Sequence, residues 1–153
     1  MIDLAHNLVR HIGTLNRYMM RALDIEMAPH GMGSGRFSYL FILYLSEGIT
    51  QQEMAFRLQA DKGAVARTLA LLEDQGYVRR EDDPSDKRVT RVYLTPKSLA
   101  LQNHLEAAVG RIIEQLGAGL DAAQLEVLRS ALPLMAQSLA SHYDVGTRSR
   151  SVR

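Results

Sequence analysis

The segment E-D-D-P-S-D-K-R (81–88) crowds Glu81, Asp82, Asp83 and Asp86 against Lys87 and Arg88, directly after Arg79 and Arg80. Guanidinium and ammonium groups on a short turn suit phosphate oxygens or a narrow minor groove. Carboxylates beside them either brace those cations or repel the same phosphates. By composition alone such a cluster is a solvated turn. Upstream, D-K-G-A-V-A-R-T (61–68) sets Lys62, Arg67 and Thr68 among glycine and alanine. Those polar groups can reach base edges, and Ala64 and Ala66 are small enough to meet a thymine methyl.

Other chemistries find little support. The 153-residue chain has 18 Lys and Arg against 17 Asp and Glu, a net charge of +1, so any attraction for a polyanion must come from local arrangement. Without cysteine there are no disulfides, thiolate metal sites or thiol redox chemistry, which fits the cytoplasm. His6, His11, His30, His104 and His142 form no compact ligand set, so no metal is expected. Gly31, Gly33 and Gly35 in G-M-G-S-G follow a helix rather than the strand a phosphate loop needs. No nucleophile–base pair or carboxylate dyad stands out, so neither an enzyme nor a cofactor is expected. The longest apolar run, Tyr39–Leu45, is too short for a membrane span, and the N-terminus lacks the apolar core and cleavage site of a secretory leader.

The elements that must position these residues follow from periodicity. Leu8, Ile12, Leu15, Met19, Ala22 and Leu23 recur at helical steps, predicting a helix over about 2–28 ended by Pro29. A second helix over 34–47, apolar nearly all round, is expected at the centre of the core with Gly48 as its stop. Thr50 with Glu53 is a capping box opening a short helix. After a tight turn, Asp61 caps a helix that Gly76 ends, with Val65, Leu69 and Leu72 on its inner stripe. The period then becomes two: Y-V-R-R-E (77–81) and T-R-V-Y-L-T (90–95) read as strands joined by the charged turn. Thr95-Pro96 starts a helix carrying Leu101, Leu105, Ala108, Val109, Ile112 and Leu116. Asp121 and Gln124 cap a last one with Leu125, Leu128, Leu132, Met135 and Leu139, where Pro133 should produce a kink. The tail from 144, with Arg148, Arg150 and Arg153, reads as disordered.

Helix, turn, helix, strand, charged loop, strand over 50–95 is a winged helix-turn-helix, whose second helix is free to enter a major groove. The stretch D-K-G-A-V-A-R-T-L-A-L-L-E-D-Q-G-Y-V-R-R-E-D-D-P-S-D-K-R-V-T-R-V-Y-L-T-P-K-S resembles the recognition helix and wing of the MarR (multiple antibiotic resistance regulator) family. Arg80, Asp86 and Arg88 match that family's wing spacing, an arginine followed six residues later by Asp-x-Arg. The L-E-D-Q-G-Y-V and V-Y-L-T flanks match too, and the layout resembles it over nearly the whole chain. The family's recognition helix is often rich in Ser and Thr at its start. Lys62, Gly63, Ala64 and Ala66 stand there instead, so selectivity is expected to lean on DNA shape and on the wing.

The resemblance implies a mainly α fold with a small β-wing: a single MarR-like domain with dimerisation helices at 1–30 and 97–143 around a winged module at 34–95. It also implies a homodimeric, cytoplasmic regulator, with Lys62, Ala64, Arg67, Thr68, Arg80, Asp86, Lys87 and Arg88 as the DNA-binding set on duplex DNA. A small aromatic or phenolic effector is the further partner implied, and Arg10, Arg17, Arg36 and Tyr39 have suitable chemistry for it. Asp86 is expected to organise the wing by pairing with Arg80 or Arg88, while Glu81, Asp82 and Asp83 keep the turn solvated. The competing reading is a helical dimer acting through protein contacts with a degenerate DNA-binding unit.

Overall fold

The computed structural model describes residues 7–143; the predicted tail lies outside them. The order is α1 (Leu8–Met27), a 3₁₀ turn (Ala28–His30), α2 (Phe37–Leu45), α3 (Gln51–Leu58), α4 (Lys62–Asp74), β1 (Val78–Asp82), β2 (Thr90–Leu94), α5 (Pro96–Gly117) and α6 (Ala122–Tyr143). It is the mainly α fold with a two-stranded wing that the sequence predicts. Two compact units divide the chain, residues 1–112 and 113–153.

In the first unit, helix ends follow local chemistry. Asn7 accepts the Val9 amide at 2.8 Å and opens α1. Pro29 does not end α1 itself. It sits in the first turn of the 3₁₀ segment, where a missing N–H is tolerated. α2 starts at Phe37, later than the predicted start at residue 34, because Ser34 and Gly35 hold positive φ (60° and 76°). That bend is fixed by the Gly35 amide donating to Asp24 Oδ1 at 2.7 Å. Nor is α2 buried all round: Phe37, Tyr39, Leu40 and Leu43 are buried, whereas Phe41 and Leu45 are exposed. Gly48 lies beyond the helix cap Ser46 and serves the turn into α3. A Cβ there would come within 3.1 Å of the Tyr93 ring, on top of a φ of 76°.

Thr50 and Glu53 form the reciprocal capping box of α3. α4 ends in a Schellman pattern, with Gly76 N–H donating to Glu73 O (2.9 Å) and Tyr77 N–H to Leu72 O (2.8 Å). This turn drops the chain straight into β1. β1 and β2 pair antiparallel, Val78 opposite Leu94 through Asp82 opposite Thr90. Residues 48–50 lie along the far edge of β2: Gly48 N–H donates to Val92 O at 2.9 Å and Val92 N–H to Ile49 O at 3.0 Å. The core runs from Met27 through Leu40, Leu43, Met54, Val65, Leu69, Leu72 and Val92 to Leu105 and Ala108. Each fully buried aliphatic there contributes roughly 1.5–3 kcal/mol, so α4 and the wing hang from a continuous scaffold.

In the second unit, Asp121 and Gln124 cap α6 reciprocally at 2.8 and 2.9 Å, as their spacing predicts. α6 has no buried residue, and Leu128, Leu132 and Leu139 are exposed. Pro133 lies inside this helix.

Candidate nucleic-acid interface

Asp61 fixes the start of α4: its Oδ1 accepts the Ala64 N–H at 2.9 Å, and its charge complements the helix N-terminus. Val65, Leu69 and Leu72 are buried, which turns the opposite side of the helix outward. Lys62 and Arg67 are exposed there, with Gly63, Ala64 and Ala66 half-buried around them. A Cβ on Gly63 would lie 3.3 Å from Arg67 Nη1 and 3.0 Å from Asp61 Oδ1, so the guanidinium lies back over the first turn, on the side of the capping carboxylate. The first two turns of α4 thus carry two exposed cations among small residues. Thr68 is separate. It is half-buried and lines a cleft with Ser34, Arg36, Tyr39, Leu58 and Leu71.

The wing carries the second group. Its core-side face presents Val78 and Arg80 opposite Leu94 and Val92. Arg80 reaches back to α4: Nε and Nη2 donate to Glu73 Oε2 at 2.8 and 2.6 Å, and its amide donates to Glu73 Oε1 at 3.0 Å. Those hydrogen bonds pull the Glu73 carboxyl below its ordinary range. Arg80 therefore joins the wing to α4 and is not the partner of Asp86. That partner is Arg88, whose Nε and Nη2 donate to the two carboxylate oxygens at 3.0 and 3.1 Å, with its amide on Oδ1 at 3.1 Å. The fork lowers the Asp86 pKa and raises that of Arg88. The Arg88 side chain is nevertheless 90% exposed, and Lys87 beside it is exposed as well.

Asp83 corrects a sequence expectation. Rather than solvating the turn, its side chain is 8% exposed. Oδ1 accepts the Ser85 amide (2.8 Å) and hydroxyl (2.5 Å), and Oδ2 accepts Arg91 Nε at 2.5 Å. The Ser85 bonds first, then Arg91, hold its pKa far below the carboxylate range. Arg91 also donates Nη1 to Gly48 O at 2.8 Å. Sequence reasoning missed Arg91. The available signal was the turn Asp83-Pro84-Ser85 together with the hairpin register that sets Arg91 opposite Glu81. Glu81 and Asp82 are exposed as expected, though Glu81 pairs with Arg79, which stacks 4.4 Å over the Tyr93 ring.

An N-capped helix with two outward cations, clamped to a hairpin with a forked arginine at its tip, can engage a major groove and the adjoining minor groove together. A family model described as MarR family matches residues 34–90. A MarR transcriptional regulator from Methanosarcina mazei Go1 is 32% identical, the match covering 86% of this chain and 96% of that one with a TM-score of 0.77. The chain belongs to the MarR family. MarR from E. coli, in its apo form, has 28% identity over 84% of this chain and 96% of its own, with a TM-score of 0.76. The HTH-type transcriptional regulator YybA of Bacillus subtilis (strain 168) is 27% identical over 60% of this chain. The match spans about three-fifths of that relative's length (61%). The Methanosarcina mazei and Bacillus subtilis relatives both carry the name of transcriptional regulators.

Apart from these residues, the cleft beside Thr68 has a volume of about 590 Å³. Of the four candidate effector residues, Arg36 and Tyr39 line it; Arg10 and Arg17 do not, and both are exposed on α1. Arg36 Nε donates to Gly33 O at 3.0 Å, which sets its guanidinium at the mouth of α2. Among the described residues no group of three or more His, Asp or Glu could hold a metal, and no helix is long and apolar enough to cross a membrane.

Proposed function

We propose that this MarR-family chain is a sequence-specific, cytoplasmic DNA-binding repressor that acts as a homodimer on a pseudo-palindromic operator. The observation that carries the reading is the coupling of two exposed cationic groups through Arg80–Glu73: Lys62 and Arg67 on α4, and Arg88 forked on Asp86 at the wing tip. Lys62 and Arg67 take the major groove, with Ala64 against bases. Arg88 takes the minor groove and Lys87 the neighbouring phosphates. Arg80 and Asp86 set the geometry. Thr68, turned toward the cleft, serves DNA less than the other members of the predicted set.

Dimerisation through residues 1–30 and 97–143 is supported by what these helices leave uncovered. Leu8, Ile12, Leu15 and Ile25 of α1, and Leu128, Leu132 and Leu139 of α6, are exposed, more apolar surface than a soluble monomer keeps. Two-fold symmetry then sets the half-sites about one helical turn apart. An effector that is a small aromatic or phenolic anion suits the cleft, with Arg36 for the charge and Tyr39, Leu58 and Leu71 for the ring. A gel shift on the DNA upstream of its own gene, with sedimentation of the free protein, tests the whole. A specific complex and a dimer at micromolar concentration are expected. A stable monomer, or binding indifferent to Lys62→Ala and Arg67→Ala, would sink the reading.

A further inference from the structure

By residue type, Arg91 is one more cation beside Lys87 and Arg88 and would be counted as another phosphate contact. Its surroundings give it a different task. We infer that Arg91, with Asp83, is a positioning residue that holds the wing loop so that Arg88 meets DNA, while itself touching none; this rests on the DNA-binding reading above. Two of the three guanidinium nitrogens are committed inside the protein, Nε to Asp83 Oδ2 at 2.5 Å and Nη1 to Gly48 O at 2.8 Å. One side chain thereby joins β2, the wing loop and the turn that precedes α3.

That turn is itself anchored. Gly48 and Ile49 are bonded to Val92 on the edge of β2, and the Thr50–Glu53 box starts α3 one residue further on. From Asp83 the connection continues to the tip through short bonds. Asp83 holds Ser85 through both its amide and hydroxyl. The Asp83 amide donates to Val89 O and the Val89 amide to Asp86 O, both at 2.8 Å. Asp86 then forks Arg88. An arginine held at the end of such a chain loses less rotamer freedom on entering a groove than a free one. Removing the inner pair releases the tip without removing any group that touches DNA.

The test uses a duplex retained by the wild-type protein from a random-sequence pool. Affinity and its salt dependence are measured for Arg91→Ala, Arg91→Lys, Asp83→Asn, Arg88→Ala and the Arg91→Ala/Arg88→Ala double variant, with melting curves to correct for folded fraction. Arg91→Ala and Asp83→Asn should each weaken binding by roughly tenfold, the scale of one well-placed contact, with the wild-type salt slope. In the Arg88→Ala background, Arg91→Ala should add less than about twofold, because both act through one group. Arg91→Lys keeps the charge but lacks the planar fork that serves Asp83 and Gly48 together, so it should resemble Arg91→Ala. A lysine variant with wild-type affinity, additive losses, or a salt slope reduced by about one charge would make Arg91 a phosphate contact and overturn the inference. If the wild-type protein retains no duplex, the DNA-binding reading fails first and this one with it.

Discussion

At the wing tip Arg88 rests on Asp86, two residues away in sequence, with nearly all of its side chain in solvent. At the wing root Arg91 rests on Asp83, eight residues away, in a pair whose carboxylate is buried and whose guanidinium also holds a backbone carbonyl. The residue types are the same and the physical consequences differ. An exposed pair gains little net free energy in water and is screened by salt, so the tip pair can set a geometry but adds little to stability. A covered pair leaves an uncompensated charge when one partner is removed, so the root pair holds the loop in place. Between them stands Arg80–Glu73, partly covered, which fixes the hairpin to α4. Exposure, more than residue type, decides whether a wing cation is free to meet a partner or is engaged in holding the loop.

The largest effect expected from this contrast is on folding. Asp83→Ala should lower the melting temperature by several degrees, because Arg91 is left without its acceptor and Ser85 loses both of its bonds. Asp86→Ala should leave the melting temperature nearly unchanged. Differential scanning calorimetry on the two variants decides it, and equal shifts would erase the distinction between root and tip. Next in size is Arg88→Ala, which should weaken operator binding by roughly tenfold with no change in melting. A variant that melts early would place Arg88 in the scaffold instead.

Acid provides a smaller, graded version of the same contrast. Asp83, Glu73 and Asp86 all titrate below their ordinary values in the folded protein, Asp83 the furthest. A depressed folded-state pKa means the unfolded chain binds the proton more readily. The stabilisation is therefore complete above the unfolded value, roughly pH 4, and is lost as pH falls through the folded one. Asp83→Asn should flatten the loss of stability between about pH 5 and pH 2 more than Asp86→Asn does. Urea unfolding at a series of pH values measures this. Parallel curves for wild type and Asp83→Asn would count against the root pair.

Much of the scaffold was legible in the sequence because its signals are local. The Thr50–Glu53 and Asp121–Gln124 caps, the Asp61 cap and the Gly76 stop each need only a few neighbouring residues, and each holds in the structure. The start of α2 was misjudged because a serine adopting positive φ has no side-chain signature, and the bend is fixed by the Gly35 amide on Asp24, eleven residues upstream. The same limit governs the wing. Asp86 with Arg88 is visible at a spacing of two, whereas Asp83 with Arg91 depends on a hairpin register, and Arg91 with Gly48 on a turn 43 residues upstream. The burial of Asp83 follows only from those long-range contacts. Composition favoured a solvated carboxylate, and composition carries no such information.

The smallest expected effect concerns Asp86 itself, where the sign of the change is decisive. Removing a negative charge close to phosphates should, by simple electrostatics, tighten binding by up to about fivefold after screening. If Asp86 organises the tip, Asp86→Asn should instead weaken binding, by roughly two- to fivefold and less than Arg88→Ala does, because an amide cannot fork two guanidinium nitrogens as a carboxylate can. The geometry removes one ambiguity: Arg80 is engaged by Glu73, so Arg88 is the arginine whose freedom changes. The double variant should then lose less than the sum of the two single losses, since the residues act as one unit. Operator affinity for the four proteins of this cycle, in one buffer at constant salt, gives both the sign and the coupling. Tighter binding by Asp86→Asn would make the tip an ordinary charged turn, and only the root of the wing would then remain an organised structure.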